Sequence, residues 1–67
     1  MKKTMTINLS EQEMDALEAL CAKKDLSKTA LVKQALRLYQ ALEERIDRGD
    51  KIFYESPDKE KAEIFLL

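Results

Sequence analysis

Histidine is absent from this chain, and cysteine and glycine occur once each. A single cysteine excludes an internal disulfide, and the missing imidazole excludes any histidine-containing zinc site. The commonest general base is missing too, and one glycine cannot build a phosphate-cradling loop. No acid pair stands in a recognisable catalytic setting. Cys21 lies on an apolar helical stripe, where a free cysteine reads as a small buried hydrophobe rather than a nucleophile. An enzyme is therefore not expected, and neither a cofactor nor a metal is implied. No apolar run approaches the ~20 residues of a membrane span. The N-terminal "MKKTMTINLS" has a basic start without a following apolar stretch, so it does not read as a signal peptide. The expectation is a cytoplasmic protein with no membrane partner.

Interior is also scarce. A chain of 67 residues is one small folding unit that buries only about 60% of its unfolded surface. Its own core rarely supplies more than roughly 3–5 kcal/mol without a staple. Yet 45% of the residues are apolar. Association with further copies is the remaining way to cover them.

Net charge is −1, which gives no overall attraction to nucleic acid. The distribution says more. Segment 1–9 carries Lys2 and Lys3 with no acid, and segment 26–42 carries Lys28, Lys33 and Arg37 with none. Acids gather in 10–25 and from Glu43 onward. The two acid-free segments become one basic face if the fold brings them together.

Along the chain, "TMTINLS" (Thr4 to Ser10) alternates strictly. Met5, Ile7 and Leu9 point one way and Thr4, Thr6 and Asn8 the other, which predicts a half-buried strand. "SEQE" (Ser10 to Glu13) is a capping box that opens a helix, and its acidic first turn suits the helix dipole. Met14, Leu17, Leu20 and Cys21 give that helix one apolar stripe, ending near Lys23. Asp25 is placed as a left-handed residue after it, although Gly is the easier choice there. Ser27 is the expected N-cap of a second helix. That helix carries a wide apolar band from Ala30 to Ile46, more than one neighbour can cover. An i,i+4 pair of Glu44 and Arg48 is expected near its end, and Gly49 is the natural terminator. The tail "DKIFYESPDKEKAEIFLL" differs in kind. It reads either as two strands, "KIFYES" and "AEIFLL", around a turn-prone "PDKEK", or as a segment that orders on a partner.

The strand has no second strand near it, so its backbone groups need a partner. Two identical strands paired antiparallel about a two-fold axis supply one. Such a ribbon packs Met5, Ile7 and Leu9 onto the helices and shows Thr4, Thr6 and Asn8 to solvent. A two-stranded ribbon is narrow enough for the DNA major groove, where Asn pairs bidentately with adenine and Thr bonds a base or touches a thymine methyl. Thr and Asn are equally ordinary on any solvated strand.

The stretch "KKTMTINLSEQEMDALEALCAKKDLSKTALVKQAL" carries the alternating strand, the Ser cap and the "LSKTALVKQAL" helix opening in one order. In this it resembles the ribbon-helix-helix family of DNA-binding repressors, the MetJ/Arc/CopG type, and CopG-like members most. The resemblance implies a mainly α fold, an intertwined homodimer in which residues 1–49 form the dimerisation and DNA-binding domain. Residues 50–67 are then a C-terminal extension, either a β-hairpin or a partner-binding tail. Double-stranded DNA is the implied partner, with Thr4, Thr6 and Asn8 on the bases. Ser27, Lys28 and Thr29 would grip a phosphate, as a helix N-terminus can, with Lys2 and Lys3 reaching the backbone beside the ribbon. Two departures stand out: Thr4 where such sequences are often basic, and Asp25 where they usually have Gly. An acidic chain with these departures binds non-specific DNA weakly as one dimer, so cooperative assembly of several dimers is expected. Three readings follow: a transcriptional repressor acting by occupancy, an antitoxin-type autorepressor whose tail binds a protein toxin through Ile64 to Leu67, and a dimerisation module that does not bind DNA.

Overall fold

The computed structural model describes residues 2–66. Met1 and Leu67, the outermost positions of the two proposed segments, lie outside the described residues. Helix α1 spans Glu11–Lys24, helix α2 spans Lys28–Asp47, and strands β1 (Ile52–Glu55) and β2 (Lys61–Ile64) follow. The chain divides into two compact units, Met1–Val32 and Lys33–Leu67, with the boundary inside α2.

In the first unit, the local chemistry of α1 is that of the sequence. The Ser10 side chain accepts from the Glu13 amide at 3.1 Å, and the Glu13 carboxylate accepts from the Ser10 amide at 2.9 Å. Both halves of the capping box are therefore present. The other end closes on Asp25, which sits in the left-handed region at φ 54°, ψ 49°. The Leu26 amide donates to the Cys21 carbonyl at 3.0 Å and the Asp25 amide to the Ala22 carbonyl at 3.4 Å. That pair of bonds is the Schellman arrangement, which occupies carbonyls the helix leaves open. Two residues later Ser27 caps α2, accepting from the Ala30 amide at 3.1 Å. Met14, Leu17, Cys21, Leu26, Ala30 and Leu31 are half-buried.

Residues 2–10 hold no regular secondary structure. The alternating segment expected as a strand is not one within a single chain, because a strand is defined by ladder hydrogen bonds and this segment pairs with no other, β1 and β2 being joined to each other alone. Met5, Ile7 and Leu9 are 73%, 51% and 37% exposed.

In the second unit, α2 ends in the same way as α1. Gly49 takes φ 92°, where a side chain would be strained. The Asp50 amide donates to the Arg45 carbonyl at 3.0 Å, and the Gly49 amide to the Ile46 carbonyl at 2.9 Å. The expected Glu44–Arg48 pair does not form. Helix α2 stops at Asp47, so Arg48 leaves the helical register, and Arg45 instead approaches Asp50 at 3.6 Å. That ion pair bridges the two residues which the terminating bond already joins.

Strands β1 and β2 pair antiparallel in the register Ile52↔Ile64, Phe53↔Glu63, Tyr54↔Ala62, Glu55↔Lys61. Their connection is a type I-like turn on Ser56–Lys59 with Pro57 at its second position. The Lys59 amide donates to the Ser56 carbonyl at 2.8 Å, and the Ser56 amide donates to the Glu60 carbonyl at 2.8 Å. Lys59 takes φ 67°, the left-handed position that three-residue hairpin loops require. The Ser56 hydroxyl accepts from the Glu60 amide at 3.1 Å and tightens the turn. Strand β2 begins at Lys61, one residue earlier than "AEIFLL" suggests, because the five-residue "PDKEK" is longer than this loop.

Among the described residues none is buried, and the chain exposes 6591 Å².

Candidate nucleic-acid interface

The eight residues read from the sequence as DNA contacts all fall in the first unit. Lys2, Lys3, Thr4, Thr6 and Asn8 lie in the segment before α1, and every one is exposed. Their placement is fixed at one end by the Ser10 capping box, which orients the chain as it enters α1. Ionisation of the cap is favoured as well: the hydrogen bond from the Ser10 backbone, then that with its side chain, holds the Glu13 carboxyl below its usual value of 4.5.

Ser27, Lys28 and Thr29 form the first turn of α2 and are exposed. Helix geometry leaves the Lys28 and Thr29 amides without carbonyls to bind, and no acid stands in that turn. The Ser27 hydroxyl already accepts from Ala30, so it contributes to an anion site mainly by fixing where the two open amides point. Such a pair of amides, with the positive end of the helix dipole behind it, is suited to a phosphate.

One residue at this site escaped the sequence reading. Glu18 of α1 approaches the Lys28 ammonium at 3.8 Å, with both side chains more than half exposed. Ten positions separate them, so no i,i+4 pattern signals the pair; only the two-residue turn after Asp25 creates it. An exposed pair of this kind is worth about 0–1 kcal/mol. Lys28 can therefore leave Glu18 at small cost, but Glu18 subtracts from the positive field offered to an anion.

Among the described residues there is no cluster of three or more metal-ligating side chains, and no helix is long and apolar enough to cross a membrane. The cysteine is free and half-buried.

The model of the ribbon-helix-helix protein, CopG family, matches residues 3–49. The chain belongs to the CopG family of ribbon-helix-helix proteins. No curated protein and no solved structure matches it. CopG-family ribbon-helix-helix proteins are in general DNA-binding transcription regulators and usually act as dimers. The matched span takes in the alternating segment, both helices and Gly49, and it stops before β1.

Proposed function

We propose that this CopG-family chain is a sequence-specific transcriptional repressor that works as a homodimer by occupying its operator. The observation that carries the reading is the alternating segment 4–10, which leaves three large apolar side chains uncovered in a single chain while its alternate positions carry Thr4, Thr6 and Asn8. Pairing this segment with its copy about a two-fold axis covers Met5, Ile7 and Leu9 and satisfies the backbone. The ribbon then enters the major groove with Thr4, Thr6 and Asn8 on base edges. The open amides of Lys28 and Thr29 hold a phosphate, with the Lys28 ammonium beside them, and Lys2 and Lys3 reach the adjacent backbone. Phosphate contacts set the register, and the three ribbon residues set the sequence.

Because Asp25 and Glu18 stand near the phosphate-binding turn and the chain is net acidic, one dimer neutralises few phosphates. Tight binding on this reading uses several dimers on adjacent half-sites, and its site in the cell is the nucleoid. Selection of bound duplexes from a random pool tests the proposal and returns the half-site spacing. A Thr6→Ala/Asn8→Ala variant that selects the same sequences with the same affinity refutes the ribbon reading.

A second reading is favoured by one observation. Residues 50–67 lie outside the family match and expose Phe53, Tyr54 and Phe65, as a surface for a protein toxin would. In that case removing 50–67 spares operator binding and abolishes capture of the toxin.

A further inference from the structure

We infer that β1 is a self-association edge: it pairs antiparallel with β1 of a second copy, centred on Phe53, to make a four-stranded sheet. This contact is separate from the N-terminal ribbon and does not depend on DNA binding.

The direction of the β1 backbone groups shows which of them are open. In an antiparallel pair, directly opposed residues alternate between those that exchange hydrogen bonds and those that do not. Ser56 donates to Glu60, so counting back through the register, Tyr54–Ala62 and Ile52–Ile64 are the bonded pairs. The amides and carbonyls of Phe53 and Glu55 therefore point away from β2. The sheet has only these two strands, so that edge carries an open row of donors and acceptors. Natural proteins blunt such edges with proline, bulges or a charge at the centre of the strand. Here the centre is Phe53, 53% exposed, next to Tyr54, 58% exposed. A two-stranded hairpin is also marginal by itself, and a larger sheet is the usual remedy.

The sequence of the edge decides the occupant. "KIFYE" (Lys51 to Glu55) is complementary to itself when read backwards. With Phe53 opposite Phe53 of the second copy, Lys51 faces Glu55 on both sides of the axis, and Ile52 faces Tyr54 twice. Opposite charges and aromatic–aliphatic pairs are the favourable cross-strand combinations. The alternative register, centred on Tyr54, sets Phe53 against Glu55 and Lys51 against Pro57, and it loses both ion pairs.

The side-chain rows stay complementary across the new seam. On one face, Lys61, Glu55 and Lys51 of the second copy alternate in sign. On the other, Ile64 and Ile52 continue into Tyr54 and Ala62 of the second copy, a wholly apolar row repeated by symmetry. Within one chain that face is already partly covered, since Ile46 of α2 lines a small cavity with Ile52 and Ile64. The edge of β2 is a poorer candidate: self-pairing about Ala62 matches Lys61 with Glu63 but leaves Phe53 uncovered. A β1-to-β2 contact is head-to-tail and does not close.

The test needs register, not mass alone. In a Cys21→Ser background of the full chain, Lys51→Cys and Glu55→Cys variants are oxidised separately and mixed. In a symmetric pair the two thiols introduced at position 51 lie four residues out of register, as do two introduced at position 55, so neither variant cross-links alone. The mixture gives a covalent dimer, because position 51 faces position 55. Cross-linking of each variant alone, or none in a mixture whose helical circular dichroism is intact, overturns the inference. On the unmutated chain, amide exchange provides a readout that no substitution can spoil. The Phe53 and Glu55 amides are expected to be as protected as Tyr54, and to lose that protection on dilution. Fast exchange of Phe53 and Glu55 beside a protected Tyr54 overturns the inference, and so does protection without the mixed cross-link.

Discussion

Replacing Asp25 with Gly should stabilise the protein by about 1 kcal/mol and strengthen DNA binding. Asp25 holds φ 54°, ψ 49° after α1, a conformation that crowds Cβ against the following carbonyl at roughly 1–2 kcal/mol. Asp tolerates it better than most because a short polar side chain can bond locally, but among the described residues its carboxylate makes no hydrogen bond or ion pair. Gly removes the crowding and loses about 0.5–1 kcal/mol to the freedom of the unfolded chain. Removing an acid from the negative end of the helix dipole returns a further 0.3–1 kcal/mol or so. Asp25→Asn isolates the charge, because Asn also accepts the left-handed conformation and keeps a side chain. The expected order of urea midpoints, at one protein concentration, is Gly above Asn above wild type. With a slope of about 1 kcal/mol per molar for so small a chain, the Gly variant gains roughly 1 M. A Gly variant no more stable than the Asn variant would refute the backbone part of the reasoning. For DNA, both variants should tighten binding equally, since both remove the same charge near the α2 amides.

The capping box gives a pH dependence with a defined sign. The hydrogen bond from the Ser10 backbone holds the Glu13 carboxyl below its ordinary value, so its contribution is complete above the ordinary carboxylate range and disappears as the pH falls through the lowered value. Ser10→Ala should cost about 1 kcal/mol, a loss that persists in acid because the hydroxyl it removes accepts from the Glu13 amide. Urea midpoints of wild type and Glu13→Gln should instead converge in acid as the carboxylate held by the Ser10 amide protonates. Glu18→Gln should release Lys28 from its 3.8 Å partner, raising DNA affinity and steepening its dependence on salt by up to about one phosphate contact, a slope change near 0.9; an unchanged salt slope would take Lys28 off the phosphate. Ile7→Lys should abolish the fold, because it sets an unpaired charge in the shared core, and a folded monomeric Ile7→Lys chain would refute the ribbon pairing. The wild-type denaturation midpoint should rise with protein concentration, since stability and association are one equilibrium.

What was legible in the sequence was local. Ser10 and Glu13 sit three apart before an apolar stripe, and their bonds form as that spacing requires. Asp25 and Gly49 act at helix ends through their left-handed backbone and Ser27 through its hydroxyl, and each takes the expected place. The misses have a common cause. Lys28 finds Glu18 through a turn, not through periodicity. Arg48 fails to meet Glu44 because α2 ends one residue too early for both to be helical. At 4–10 the alternation is legible, but the single chain forms no strand there, and a ladder for it is part of the proposed pairing with a second copy. Base contacts at Thr4, Thr6 and Asn8 are a step further away, since they depend on a ribbon and a groove together.

The distribution of apolar surface argues that two different contacts are needed. The N-terminal segment exposes Met5, Ile7 and Leu9, and α2 exposes Val32, Leu36, Leu38 and Tyr39. These belong to the family-matched span, where a dimer built on residues 3–49 can cover them. Phe53, Tyr54 and Phe65 do not belong to that span. Phe53 and Tyr54 are successive residues of β1 and stand on opposite faces of the hairpin, so each face exposes a large aromatic side chain. If the first contact makes the DNA-reading unit and the second joins chains through β1, their symmetry axes decide the assembly. Coincident axes close a single tight dimer with two interfaces. Distinct axes link one dimer to the next, and the weak phosphate neutralisation of each is then offset by adding dimers along the operator. Sedimentation of the wild type against a Phe53→Ser variant separates these cases. Loss of the larger species in the variant, with the dimer retained, supports distinct axes, and a wild-type dimer that dissociates at higher protein concentration in the variant supports coincident ones.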